Sequence, residues 1–237
     1  MKIKLKEKVY TLSLAIILSA PAVAKMTNLE ERLDRWSKDG SGIVYCHGVP
    51  KGEVKDIEGI EYVSAGADKD FAAANYSTAC TSNLTDMSHM KWPNKAKFNG
   101  HLDHWDTSNA TSMRRMFYLA KMFNQPVSNF NTGKVKDMAS MFERAESFNQ
   151  PLSSFEKKSL ENVEGMFYAA GSFNHPLPGF VSEKTKYMDE MLYGAADFDQ
   201  DISDWCVPMI KEKPEMFDNM SGIWSSPEHQ PVWGTCP

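Results

Sequence analysis

Positive charge is in short supply. The 237-residue chain has 26 Lys and Arg against 31 Asp and Glu, a formal charge of −5. The first 24 residues hold Lys2, Lys4, Lys6 and Lys8 against Glu7, a net of +3, which leaves −8 for the remainder. Such a surface repels phosphate, which argues against nucleic acid as a partner and against electrostatic docking on anionic lipid. No long apolar run follows the first two dozen residues, so no transmembrane segment is expected in the mature chain. Cysteine is scarce: there are four, and no two form a Cys-x-x-C pair, which removes the usual framework of a zinc site. Gly-x-Ser-x-Gly, His-Glu-x-x-His and phosphate-loop patterns are missing too, so no catalytic residue and no cofactor is assigned. The expectation is a protein without enzymatic activity.

The N-terminus reads as an address. Residues 1–8 are basic, and Leu12, Leu14, Ala15, Ile16, Ile17 and Leu18 form an apolar core ahead of Ala22-Val23-Ala24. This is the pattern of a secretory signal peptide, with cleavage after Ala24. The apolar run falls short of the roughly 20 residues that cross a bilayer. No Cys follows to take a lipid. The expected location is secreted, on the cell surface or in the periplasm. In an oxidising compartment an even cysteine count favours disulfides. Three connectivities are open. Cys46–Cys80 with Cys206–Cys236 is favoured, because the repeats between the pairs hold the two ends apart. Bridges of this span contribute roughly 3–4 kcal/mol each in the chain-entropy model.

Residues 25–83 are not repetitive and are expected to form an N-terminal cap. Thr27 and Glu30 have capping-box spacing, and Leu29, Leu33 and Trp36 share one face of a short helix. Ile43 to Cys46 has strand character. Val54 to Ile57 and Ile60 to Val63 flank Glu58-Gly59, which predicts a β-hairpin. A short helix is expected over Asp68 to Tyr76.

Residues 84–220 are a repeat: a half unit, then five units. Phe98, Phe123, Phe148, Phe173 and Phe198 stand 25 residues apart, and Met116, Met141, Met166, Met191 and Met216 keep the same step. A period in this range marks a solenoid. With Phe98 as position one, positions sixteen, nineteen, twenty and twenty-three are apolar in nearly every unit. Their spacing of i, i+3, i+4, i+7 predicts one face of a two-turn helix. Pro126, Pro151 and Pro176 at position four bar a helix earlier in the unit, where a short extended segment fits. The expected fold class is an α/β repeat, a solenoid with one short strand or extended segment and one short helix per coil. Position two, Asn99, Asn124, Asn149, Asn174 and then Asp199, is expected to form an internal ladder of amides bonding the next backbone turn. Residues 206–237, rich in Pro and Trp, are expected to wrap the far end as a C-terminal cap overlapping the last unit.

Phe123-Asn124-Gln125-Pro126, Val135 to Phe142 and Phe148-Asn149-Gln150-Pro151 resemble the repeat of the BspA-like bacterial surface proteins, also found in Mycoplasma lipoproteins. The resemblance spans about Leu84 to Met220. It implies a leucine-rich-repeat-like solenoid on a secreted or surface protein, linked to adhesion, and carries no catalytic residue.

Two side-chain sets invite a metal. His101, Asp103, His104 and Asp106 lie close in sequence, but Leu102 and Trp105 between them are core positions. Asp197, Asp199, Asp201 and Asp204 alternate as in a calcium loop, yet Ile202 and Pro208 stand where Gly and Glu are needed. No metal is assigned. The function expected is a binding or adhesion module for a protein or glycan partner, a host-derived one included. Its contacts are assigned to variable residues of the extended segment: Asp106, Ser108, Asn131, Glu156, Lys157 and Lys158. An exported hydrolase with acids on that face, or a structural or regulatory envelope protein, are the alternatives.

Overall fold

A computed structural model describes residues 35–237. The leader at 1–24 lies outside the described residues. So does the short helix expected from Thr27, apart from its last face residue, Trp36, which is not helical.

Ser37–Lys38 (β1) and Val44–Tyr45 (β2) pair antiparallel. Asp39 closes the turn between them. Its carboxylate accepts from the Ser41 N–H (2.9 Å) and hydroxyl (2.7 Å), the Ile43 N–H (3.0 Å) and the Tyr45 hydroxyl (2.9 Å). Led by the Ser41 hydroxyl, these donors hold the Asp39 carboxyl down at about 2. Val54–Ile57 (β3) and Ile60–Ser64 (β4) form an antiparallel hairpin. Glu58 and Gly59 both have positive φ, as a two-residue turn matched to strand twist requires. Lys69–Ala74 (α1) follows, capped by Asp68, whose side chain accepts from the Phe71 N–H. It leads to Ala79–Cys80 (β5), which lies parallel to β4. The Cys46–Cys80 disulfide ties this sheet to the stretch after β2. Trp36, Val44, Val49 and Tyr62 pack around that bridge in a small core of their own.

From Leu84 to Met220 the expected α/β solenoid is not what forms. Among the described residues this stretch holds no α-helix and no strand longer than a single bridge; its one helical piece is a 3-10 turn at Lys95–Lys97. Each unit is a run of turns. Met116 donates to the Met113 carbonyl, Ala120 to Phe117 and Phe123 to Ala120. Position eighteen (Arg115, Ser140, Gly165, Glu190) and position twenty-two (Leu119, Arg144, Ala169, Gly194) all have φ between 52° and 67°. A left-handed residue every fourth place cannot continue a right-handed helix. It does return the chain so that the same apolar positions point inward, which is why the spacing imitates a helix.

The turns free alternate amides for the neighbouring unit. Met113, Arg115, Phe117 and Leu119 donate to the carbonyls of Asp137, Ala139, Met141 and Glu143, each at 2.9 Å. Met138, Ser140, Phe142 and Arg144 donate likewise to Asn162, Glu164, Met166 and Tyr168. Parallel bridges run Asp86–Ser112–Asp137–Asn162–Tyr187. The 25-residue period is therefore a hydrogen-bonding register between successive units.

Side chains stack in the same register. Phe98, Phe123, Phe148, Phe173 and Phe198 form a column of near-parallel rings with centroids 5.8–6.0 Å apart. Trp92, Phe117, Phe142 and Phe167 form a second column at 5.5–5.8 Å. Trp92, ahead of the first full unit, places an indole at the head of that column. Its Nε1 donates to the Met116 carbonyl at 2.6 Å. On the rim, Asn99, Asn124, Asn149 and Asn174 each accept through Oδ1 from the backbone N–H one unit on, at 2.9–3.1 Å.

Met116, Met141, Met166 and Met191 are fully buried, but Met216 is 45% exposed. The assignment of Met216 to the repeat core is corrected. After Lys213-Pro214 the register slips by one residue: Glu190, Leu192 and Gly194 donate to Glu215, Phe217 and Asn219. Phe217 therefore takes the place of the methionine, and Ser221 that of the small residue at position twenty-three. Met216 and Met220 become the positive-φ pair and face outward. The chain then wraps the last unit. Ile202 donates to His229 and Val207 to Thr235. Trp233 meets Phe217 edge-on at 5.2 Å, and Cys206–Cys236 joins the ends of the wrap.

Three outcomes are expected. Ala169→Gly relieves a left-handed Ala and should raise stability in urea by about 1 kcal/mol, whereas Ala169→Val should lower it. Phe148→Ala opens the ring column and should cost about 3–5 kcal/mol. The folded-state pKa of Asp39 lies below its unfolded value, so its contribution is present above about pH 3.8 and lost as pH falls toward 2. Asp39→Asn should flatten the decline of Tm across that interval; an unchanged slope would count against the assigned hydrogen bonds.

Candidate functional site

The residues expected to make contacts fall into a row but do not form a recess. Asp106, Asn131 and Glu156 occupy position nine of successive units. Thr107 and Thr132 link them. The Thr107 hydroxyl donates to the Asn131 carbonyl (3.1 Å) and accepts its N–H (2.8 Å); Thr132 treats Glu156 in the same way (3.0 and 2.7 Å). Asp106 is 3% exposed, so its assignment as a contact residue is corrected. Its Oδ1 accepts from the Ser108 N–H at 3.0 Å, as Asn131 Oδ1 does from Gly133 at 3.2 Å. Both are turn-formers. Ser108 is half-buried. Lys157 donates to the Pro178 carbonyl at 3.1 Å, lies over the Phe180 ring, and has its pKa pushed down by burial. Asn131, Glu156 and Lys158 remain exposed, with Lys158 Nζ 3.9 Å from Glu156.

The two metal-like sets do not converge. Among the described residues no group of three His, Cys, Asp or Glu side chains is arranged to hold an ion. His104 packs its ring 5.4 Å from Tyr62, with burial lowering its pKa, while His101 is exposed. Asp201 accepts from the Ser203 N–H and Asp204 from the Gly179 N–H, so these acids secure turns.

A recess of about 260 Å³ opens instead on the face carrying positions seventeen to twenty-two. Arg115, Arg144, Glu143, Glu164, Glu190 and Tyr168 line it, with Arg114 beside them. The backbone sets this gathering: every unit repeats its positive φ, so the same outward places recur one unit apart. Arg114 lies 3.8 Å from Asp137. Among the described residues, Arg115 and Arg144 have no carboxylate at ion-pairing distance, and Glu143, Glu164 and Glu190 have no cation. The Arg115 guanidinium sits 5.1 Å over the Tyr118 ring, yet its Nε is buried with no acceptor. Tyr168 and Tyr193 stack at 4.9 Å. Buried donors are nearly always paired, and a guanidinium offers five N–H groups in a planar fork. The recess therefore presents unspent donors and acceptors of both signs side by side.

None of these residues stands out in the sequence once a helix is assigned to their stretch. A signal was present. Gly165 and Gly194 occupy positions eighteen and twenty-two in one unit each, and Tyr recurs at position twenty-one in Tyr118, Tyr168 and Tyr193.

A family model described as "Mycoplasma protein of unknown function, DUF285" matches residues 60–180 and, overlapping, 155–228. No curated protein and no solved structure matches the chain.

Because no ion pair with a described residue is lost at either arginine, Arg144→Ala should shift unfolding free energy by no more than about 0.5 kcal/mol, and Arg115→Met, which also gives up the Tyr118 ring contact, by no more than about 1 kcal/mol. Chemical denaturation of the two variants checks this. A loss several times larger would mean that the guanidinium groups are structural.

Proposed function

The chain belongs to the DUF285 family, and from that premise we propose an exported, surface-associated protein that binds a protein or glycan partner without catalysis. The observation that carries this reading is the recess on the repeat face. Among the described residues, Arg115 and Arg144 lack carboxylate partners there, three glutamates lack cations, and the Arg115 Nε lacks an acceptor. Arg and Tyr are the side chains that most often dominate binding energy at protein surfaces. Charges of both signs at fixed spacing favour a partner with the complementary pattern over any simple ion. The two disulfides suit an oxidising compartment. Among the described residues no helix is long and apolar enough to cross a membrane.

The test is a binding screen of the purified chain against arrayed extracellular-matrix proteins and glycans, followed by the double variant Arg115→Glu/Arg144→Glu. A bound partner should be lost by about tenfold or more in affinity, equivalent to about 1.4 kcal/mol, while the melting temperature stays within a few degrees. Absence of any bound partner, or indifference of every bound partner to the charge reversal, would overturn the assignment.

A further inference from the structure

A second recess lies where the β1–β2 turn meets the first two repeat units. It encloses about 630 Å³, with Ser41, His101, Asp103, Gln125, Pro126 and Asn129 on its walls. We propose that this recess is a binding site for a neutral saccharide residue, separate from the Arg–Glu face.

The wall chemistry points that way. A sugar ring presents several hydroxyl groups, each both donor and acceptor, and a less polar C–H face. The recess offers matching groups. The Asp103 carboxylate is exposed and meets only His101 Nδ1, at 3.7 Å. The Gln125 amide has no hydrogen-bond partner among the described residues. Asn129 is pinned: its Nδ2 donates to the carbonyls of Leu102 and Asp103, at 3.1 Å each. That leaves its Oδ1 as a fixed acceptor. The Pro126 ring supplies an apolar wall. Small-molecule sites commonly combine such a wall with a few placed polar groups.

The site is also preorganised. Asp39 fixes the Ser41 turn through four hydrogen bonds, so little order need be imposed on binding. Asp103 is the one carboxylate on the wall, and no Lys or Arg joins it. An anionic ligand would meet a like charge that no Lys or Arg on the wall offsets, which selects neutral over sialylated or phosphorylated sugars. The recess is particular to this end of the repeat. His101 stands at position four, where Pro126, Pro151 and Pro176 stand in the next three units.

The test uses the full chain in titration calorimetry with galactose-, glucose- and N-acetylglucosamine-terminated oligosaccharides, each beside its sialylated counterpart. A neutral oligosaccharide should bind. Asp103→Ala and Gln125→Ala should each weaken it by about tenfold or more, about 1.4 kcal/mol, with unchanged melting temperature. Arg144→Glu should leave it intact, so this site and the repeat-face recess can fail separately. The proposal is overturned if no neutral oligosaccharide binds, if the sialylated form binds better, or if the affinity ignores both wall variants. Loss with Arg144→Glu alone would move the glycan to the other face and overturn it equally.

Discussion

Alternate backbone amides between positions sixteen and twenty-two leave their own unit and bond the next one. Everything else in the repeat follows from that exchange. Four N–H groups per junction are satisfied across the junction in the first three units. At about 0.5–1.5 kcal/mol net per bond, they make neighbouring units cooperative rather than independent. The exchange sets the distance between units, which in turn sets the ring columns at 5.5–6.0 Å. It also demands left-handed residues at two places per unit, and those places are where the chain turns its variable side chains away from the core.

The core was largely legible in the sequence and the backbone was not. Phe98 to Phe198 every 25 residues, the buried methionines and the Asn ladder all follow from period and polarity. The hairpin was legible in Glu58-Gly59, because two residues that accept positive φ between alternating strands leave few other turns. The turns imitate a helix for a physical reason. Apolar spacing reports which residues face inward, and a run of turns with a left-handed residue every fourth place faces the same residues inward as a helix does. Gly165 and Gly194 carried the missing information, diluted by Arg, Ser, Glu, Leu and Ala at the matching places. Met216 shows the complementary error: it keeps the period in sequence after Pro214 has shifted the register in space.

The contact face differs as well. The sequence points to variable residues of the extended segment, Asp106 and Asn131 among them. In the fold both spend side-chain oxygens on their own turns. The repeat-face recess instead carries unspent charge on Arg115, Arg144 and the glutamates beside them. Constancy within the core and variation outside it have different causes: the first is the cost of disturbing stacked rings, and the second is freedom at places where the backbone alone sets the conformation.

The most direct measurement is of hydrogen-bond scalar couplings across the repeat in an isotope-labelled chain. The amide nitrogen of Phe142 should couple to the carbonyl carbon of Met166, and that of Phe117 to Met141, each one unit on. Coupling of Phe142 to the carbonyl of Met138 instead, four residues back in its own unit, would restore the helix and contradict the account.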